Sequence, residues 1–173
     1  FPDATISILL KENAADLVTN HPFVNEVILD WCSQGKIRNK EDEKRYVTFL
    51  KEKKIDVAIN LLFHENRYAD LARWANIPYR LGDKSILAQG WKYNYGVYLD
   101  WKDLSRHEIE YLFDLVKPLG IPWQDEKIPK MVLAPDPKKQ AELAKQLKIN
   151  ENLLIAIHPG TSGGNKPWHP EGF

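Results

Sequence analysis

The residues best suited to chemistry lie near the end of the chain, in a turn that carries Gly160, Thr161, Ser162 and a single cation, Lys166. The apolar run 153–157 comes just before this turn and is short enough to be a buried strand. A strand that opens into such a turn presents backbone N–H groups, hydroxyls and one ammonium at a single edge, which suits a phosphate. A Gly-rich surface loop with a solvated lysine explains the same spacing, so both interpretations stay open.

This turn does not fit the P-loop of kinases and ATPases. That motif requires a glycine five residues after its first glycine, and then lysine followed by serine or threonine. Counted from Gly160, the second glycine position holds Asn165, and Pro167 follows Lys166. Two required positions fail, which disfavours an ATPase or kinase.

A second set of polar candidates, His64, Arg67 and Arg80, lies around the ends of two predicted strands. Ligands of open α/β sheets collect at the carboxyl ends of strands, so these side chains could hold an anionic acceptor. A solvated loop and ordinary surface charge remain the alternatives. His64 and His107 each begin the zinc-peptidase pattern, but a tyrosine stands where the second histidine belongs, so no metal site is expected.

Composition narrows the classes of function. The 173 residues are 43% hydrophobic, enough for a buried core, and 24 basic residues balance 24 acidic ones, so no global charge indicates a nucleic-acid partner. The single cysteine, Cys32, excludes an internal disulfide framework. No apolar run approaches the roughly 20 residues of a membrane-spanning helix. The chain begins with Phe1 rather than methionine, and we expect a fragment of a longer protein.

Strand and helix patterns alternate along the chain, which predicts an α/β fold with a Rossmann-like, mainly parallel sheet and flanking helices. The predicted strands are residues 5–10, 24–29, 55–62, 77–81 and 153–157. The run 55–62 is apolar nearly throughout, as expected for a strand covered on both faces. In the helix that follows it, we expect Leu71 and Trp74 to face inward. The aromatic segment 83–101 is either a loop packed on the domain or an exposed surface that binds a ligand or a partner.

Several segments together resemble glycosyltransferase family 9, the heptosyltransferases of lipopolysaccharide core assembly. The most specific match is the terminal signature, residues 155–162 followed by Lys166 and residues 168–173. The weaker matches are residues 1–4, 56–61 and 78–82, and the stretch from His107 to Ile121.

The resemblance implies a GT-B architecture, in which two Rossmann-like domains enclose the active site and no metal is required. It also implies transfer of a heptose from a nucleotide-activated donor such as ADP-heptose to a lipopolysaccharide-core acceptor. The location implied is the cytoplasmic face of the inner membrane, with peripheral membrane contact. By position, Thr161, Ser162 and Lys166 would contact the donor phosphates, beside Gly160.

The same resemblance implies three segments: an acceptor-side domain over residues 1–133, a connection over 134–152, and the start of the donor domain over 153–173. The family begins with a strand, a Gly-rich turn and a helix ahead of the segment like residues 1–4, and its catalytic carboxylate is expected in that turn. We therefore expect no catalytic base in this chain, and no sugar transfer by this chain alone. Two alternatives remain: a non-catalytic α/β module that binds a sugar nucleotide or a partner, and a GT-B transferase for another sugar.

Overall fold

The structure is a computed structural model that describes residues 1–62, 66–103, 105–121, 132–149 and 155. The chain divides into two compact units, Phe1–Leu133 and Ala134–Phe173. The division into acceptor domain, connection and donor domain stays a prediction.

The helices and strands of the described residues follow one another along the chain in this order. The elements are β1 (Ser7–Leu10), α1 (Glu12–Ala15), β2 (Glu26–Leu29), α2 (Lys40–Glu52), β3 (Val57–Ile59), α3 (Asn66–Trp74), β4 (Tyr79–Leu81), α4 (Leu87–Gly90), α5 (Glu108–Asp114), a 3₁₀ turn (Lys117–Leu119) and α6 (Pro137–Gln146).

The four strands of the described residues form two parallel pairs, β1 with β2 and β3 with β4. The register places Leu9 opposite Ile28 in the first pair and Ile59 opposite Leu81 in the second. A helix follows each of the first three strands, which is the pattern that parallel pairing requires. The predicted α/β class with parallel strands is therefore confirmed.

The run 55–62 departs from its prediction. Only Val57–Ile59 form a strand, and Val57, Ile59 and Leu61 are each more than one-third exposed. The expectation of burial on both faces is wrong for the described residues. Ala58 packs against the core of α2 and α3, whereas the side chains on either side of it alternate to the opposite, exposed face.

The main core of the first unit lies between α2, α3 and the segment that leads into β4. Its buried residues are Tyr46, Leu50, Leu71, Ala75 and Ile77. Trp31, from the turn after β2, stacks on Tyr46 with ring centroids 4.9 Å apart. Leu71 faces inward as predicted, but the prediction for Trp74 is wrong, since its residue surface is 40% exposed. The Trp74 side chain lines a groove between α2 and α3 instead of entering the core.

A smaller cluster, formed by Leu99, Tyr111 and Leu115, joins the aromatic segment to α5. Helix α5 begins after His107, whose ring accepts a hydrogen bond from the Ile109 N–H, while Glu110 accepts one from the His107 N–H. This reciprocal cap gives His107 a structural role at the start of the helix.

The second unit is described over residues 134–149 and at residue 155. Asp136 followed by Pro137 is a sequence signal for a helix start, and helix α6 begins there: the Asp136 side chain accepts hydrogen bonds from the N–H groups of Lys138 and Lys139, and Pro137 occupies the first turn.

Candidate functional site

The structure bears on only part of the predicted site. The turn with Gly160, Thr161, Ser162 and Lys166 lies outside the described residues, and so does His64. Their roles stay predictions. Arg67 and Arg80 are described, together with polar residues that follow β2, β3 and β4. The carboxyl ends of these strands are therefore the part of the candidate site that can be built from the structure.

Asp30 follows β2 directly and is only 2% exposed. Its carboxylate accepts hydrogen bonds from the Cys32 N–H at 3.0 Å, the Ser33 N–H at 2.9 Å and the Tyr68 hydroxyl at 2.8 Å. Burial by itself raises the pKa of Asp30, but these donors outweigh burial and hold the pKa below its usual value. The side chain is thus a buried carboxylate that fixes the turn after β2 and ties it to α3.

Arg67 lies next to Tyr68 in the first turn of α3. Its guanidinium hydrogen-bonds the thiol of Cys32, which is partly buried. Burial raises the pKa of that thiol, Arg67 opposes the rise, and the nearby charge of Asp30 adds to it, with a net upward shift. The thiol therefore stays neutral at pH 7. The structure places Arg67, which is predicted to bind the acceptor substrate, near the carboxyl end of β2.

Asn60 occupies the carboxyl end of β3. Its amide donates to the Tyr93 hydroxyl at 2.6 Å, and its carbonyl oxygen accepts from the Leu62 N–H at 3.1 Å. Tyr93 is buried, and burial raises the pKa of its hydroxyl. Sequence reasoning missed Asn60, although a polar residue that interrupts an apolar run was a usable signal.

Asp83 follows β4 and is 3% exposed. Its carboxylate accepts from the N–H and hydroxyl of Ser85, at 2.8 and 2.7 Å, and from the Trp101 indole N–H at 2.7 Å. The carboxylate is therefore enclosed by its donors and holds the aromatic segment against β4. Neither Asp83 nor Asp30 is suited to be a catalytic base, since both are buried with their oxygens occupied.

Arg80 holds the backbone around β4. Its guanidinium donates to the Ile77 carbonyl at 2.6 Å and to the Lys92 carbonyl at 3.0 Å, and it is partly buried. These contacts explain why an arginine occupies this strand. They do not test its predicted role in acceptor binding, which stays a prediction.

The described ranges contain no group of three or more His, Cys, Asp or Glu side chains arranged to hold a metal ion. Within the same ranges no helix has the length and apolar character to cross a bilayer.

Comparison with known proteins identifies the fold. No protein-family model matches the chain, and no curated protein matches its sequence. Two solved structures are similar to it. One is the ADP-heptose lipopolysaccharide heptosyltransferase II of E. coli, with a TM-score of 0.57, 19% identity, and alignment over 87% of this chain and 44% of that chain. The other is a glycosyl transferase family 9 protein from Veillonella parvula DSM 2008, with a TM-score of 0.63, 16% identity, and alignment over 87% and 42%.

The fold is that of part of a GT-B glycosyltransferase. The chain spans less than half the length of either solved structure. Since active sites of open α/β sheets lie at the carboxyl ends of strands, the residues after β2, β3 and β4 are the described part of the candidate site.

Proposed function

We propose that this chain is part of a heptosyltransferase-like glycosyltransferase. The protein would transfer a heptose from a nucleotide-activated sugar such as ADP-heptose to the lipopolysaccharide inner core. The observation that carries the proposal is the structural similarity over 87% of the chain to two glycosyltransferases, one of them a heptosyltransferase. The terminal signature with Lys166 supports the same function.

The proposed donor site is the turn with Gly160, Thr161, Ser162 and Lys166. A departing nucleoside diphosphate develops negative charge, which N–H groups, hydroxyls and an ammonium can stabilise. We therefore propose transfer without a metal cofactor. The acceptor hydroxyl requires a carboxylate base, which the family resemblance places in a turn ahead of the segment like residues 1–4. Of the described carboxylates at the strand ends, Asp30 and Asp83 are buried with their oxygens occupied, so we assign the base to neither.

The acceptor side of the site is proposed to include Arg67, with His64 and Arg80 as further candidates. The assignment for Arg67 is supported by its position beside the Cys32 thiol, which is neutral and leaves the charge of the guanidinium available. The proposed location is the cytoplasmic face of the inner membrane, in peripheral contact with it. Membrane fractionation with and without high salt tests this location, because a peripheral protein leaves the membrane when salt screens its charges.

Substitution of Lys166 tests the donor site. In the intact gene product, Lys166→Ala is expected to reduce sugar transfer by about 100-fold, because one preorganised donor to a developing charge is lost. Lys145→Ala, which removes an exposed lysine from α6, is the matched control and should retain wild-type turnover. Unchanged turnover and unchanged donor affinity in Lys166→Ala would refute the assignment.

One observation favours the alternative, a non-catalytic module that binds a sugar nucleotide or a partner. In the aromatic segment, Trp91 is 63% exposed and Tyr98 is 79% exposed, as expected for a surface that binds a ligand or a partner. Calorimetric titration of the intact protein with ADP-sugars, combined with a transfer assay in the presence of acceptor, separates the two functions, since a module binds the sugar nucleotide without turnover.

A further inference from the structure

One hydrogen bond joins the two strand pairs at their carboxyl ends. The Tyr68 hydroxyl, from the helix that follows β3, donates to the Asp30 carboxylate at the end of β2. The N–H groups of Cys32 and Ser33 hold the same carboxylate, and the Ser33 hydroxyl donates to the Asp30 carbonyl at 2.9 Å. Asp30 is therefore held both by its own turn and by Tyr68, so the Tyr68 bond ties the turn after β2 to the first turns of α3.

This arrangement fixes the position of Arg67. It is adjacent to Tyr68 in the first turn of α3, its residue surface is exposed, and its guanidinium contacts the Cys32 thiol in the turn that Asp30 holds. A neutral thiol orients the guanidinium without neutralising it. A planar guanidinium held in one orientation is suited to bidentate recognition of a carboxylate or a phosphate.

On the basis of the proposed function, we propose that Asp30 and Tyr68 are positioning residues for Arg67, which binds an anionic oxygen group of the acceptor. Arginine is a flexible side chain, and a site that must hold a substrate group needs its ligand residues fixed by neighbours. Tyr68 fixes the backbone beside Arg67, and the turn held by Asp30 supplies the thiol that orients its guanidinium.

The kinetic test compares two tyrosine hydroxyl deletions in the intact gene product. Tyr68→Phe removes the donor to Asp30. The matched control, Tyr111→Phe, removes a hydroxyl that donates to the Asp103 backbone carbonyl in the smaller hydrophobic cluster. We expect Tyr68→Phe to raise the KM for the acceptor about three- to tenfold, the equivalent of one lost hydrogen bond, with kcat and the donor KM within about twofold of wild type.

A merely structural role predicts another result. A destabilised protein loses active molecules, which lowers the apparent kcat and leaves KM unchanged, and that outcome in Tyr68→Phe would overturn the proposal. The chemistry of the bound group is read by repeating the assay with phosphatase-treated acceptor. If the difference between Tyr68→Phe and wild type disappears, Arg67 binds a phosphate; if it persists, Arg67 binds a carboxylate.

A second measurement does not depend on sugar transfer. Cys32 is the only cysteine in this sequence, and its alkylation by iodoacetamide can be followed on its own peptide by mass spectrometry. Loosening the turn and Arg67 should speed alkylation about threefold or more in Tyr68→Phe and not in Tyr111→Phe. Equal rates in the two variants would overturn the positioning role. A wild-type protein that transfers no sugar would instead overturn the proposed function, while the alkylation rates still decide the positioning.

Discussion

Gly82 lies against the ring of Tyr93, so close that a Cβ at this position would be 2.4 Å from two ring atoms. Since Tyr93 is buried and bonded to Asn60, the ring cannot move away freely. Gly82→Ala should destabilise the protein by about 1–3 kcal/mol, as overpacking does, in urea unfolding. In a Tyr93→Leu background the same change should cost much less. Equal costs in both backgrounds would contradict the close contact.

Asp30 makes stability depend on pH in a defined direction. Because its folded pKa lies below the unfolded value of about 3.9, its contribution is fully present above that pH and is lost as the pH falls through the folded pKa. Asp30→Asn should cost about 1–3 kcal/mol at pH 7, since an NH2 group replaces one of the two oxygens that accept from buried donors. Unfolding curves at pH 7, 5 and 3 should show a constant difference at the first two and a smaller one at the third. A difference that widens in acid would contradict this assignment.

At the residue scale the sequence predicted local roles better than tertiary ones. The cap by Asp136 is local, since its side chain bonds to backbone N–H groups within three residues, and Asp136 followed by Pro137 was a usable signal in the sequence. The bonds that build the strand ends join residues far apart, 38 positions for Tyr68 to Asp30 and 33 for Asn60 to Tyr93. No local pattern specifies such partners, so Asp30 and Asn60 were missed.

At the scale of elements, helix α2 depends on its first residue. The Asn39 side chain accepts hydrogen bonds from the N–H groups of Glu41 and Asp42, at 2.9 and 3.0 Å, and the helix then delivers Tyr46 and Leu50 to the core. Asn39→Ala should lower the free energy of unfolding by about 1 kcal/mol, whereas Asn39→Asp keeps a capping acceptor and should stay close to wild type. Equal losses in both variants by urea unfolding would show that the cap is not the cause.

Hydrophobic periodicity predicted the order and type of the elements, but not which of their faces are buried. The alternation of strands and helices requires parallel pairing, and β1–β2 and β3–β4 are parallel. Apolar content alone did not predict which faces are buried. Val57 and Ile59 are exposed because no described element covers that face of β3, which is information that a single strand does not carry.

For the whole molecule, the sequence and the structure point to the same fold. The terminal signature favoured a phosphate site and resembled a glycosyltransferase family, and the described residues independently have the fold of such enzymes. The fold was therefore predictable. The proposed activity rests on predicted donor residues outside the described ranges, above all Lys166, and this chain spans less than half the length of either solved structure.

The most direct test of the account is a transfer assay with the intact gene product, ADP-heptose and a lipopolysaccharide inner-core acceptor, followed by mass spectrometry of the acceptor. We expect the acceptor to gain the mass of one heptose and one ADP to be released for each transfer. Binding of ADP-heptose with no change in the mass of the acceptor would contradict the proposed enzyme and favour the non-catalytic module.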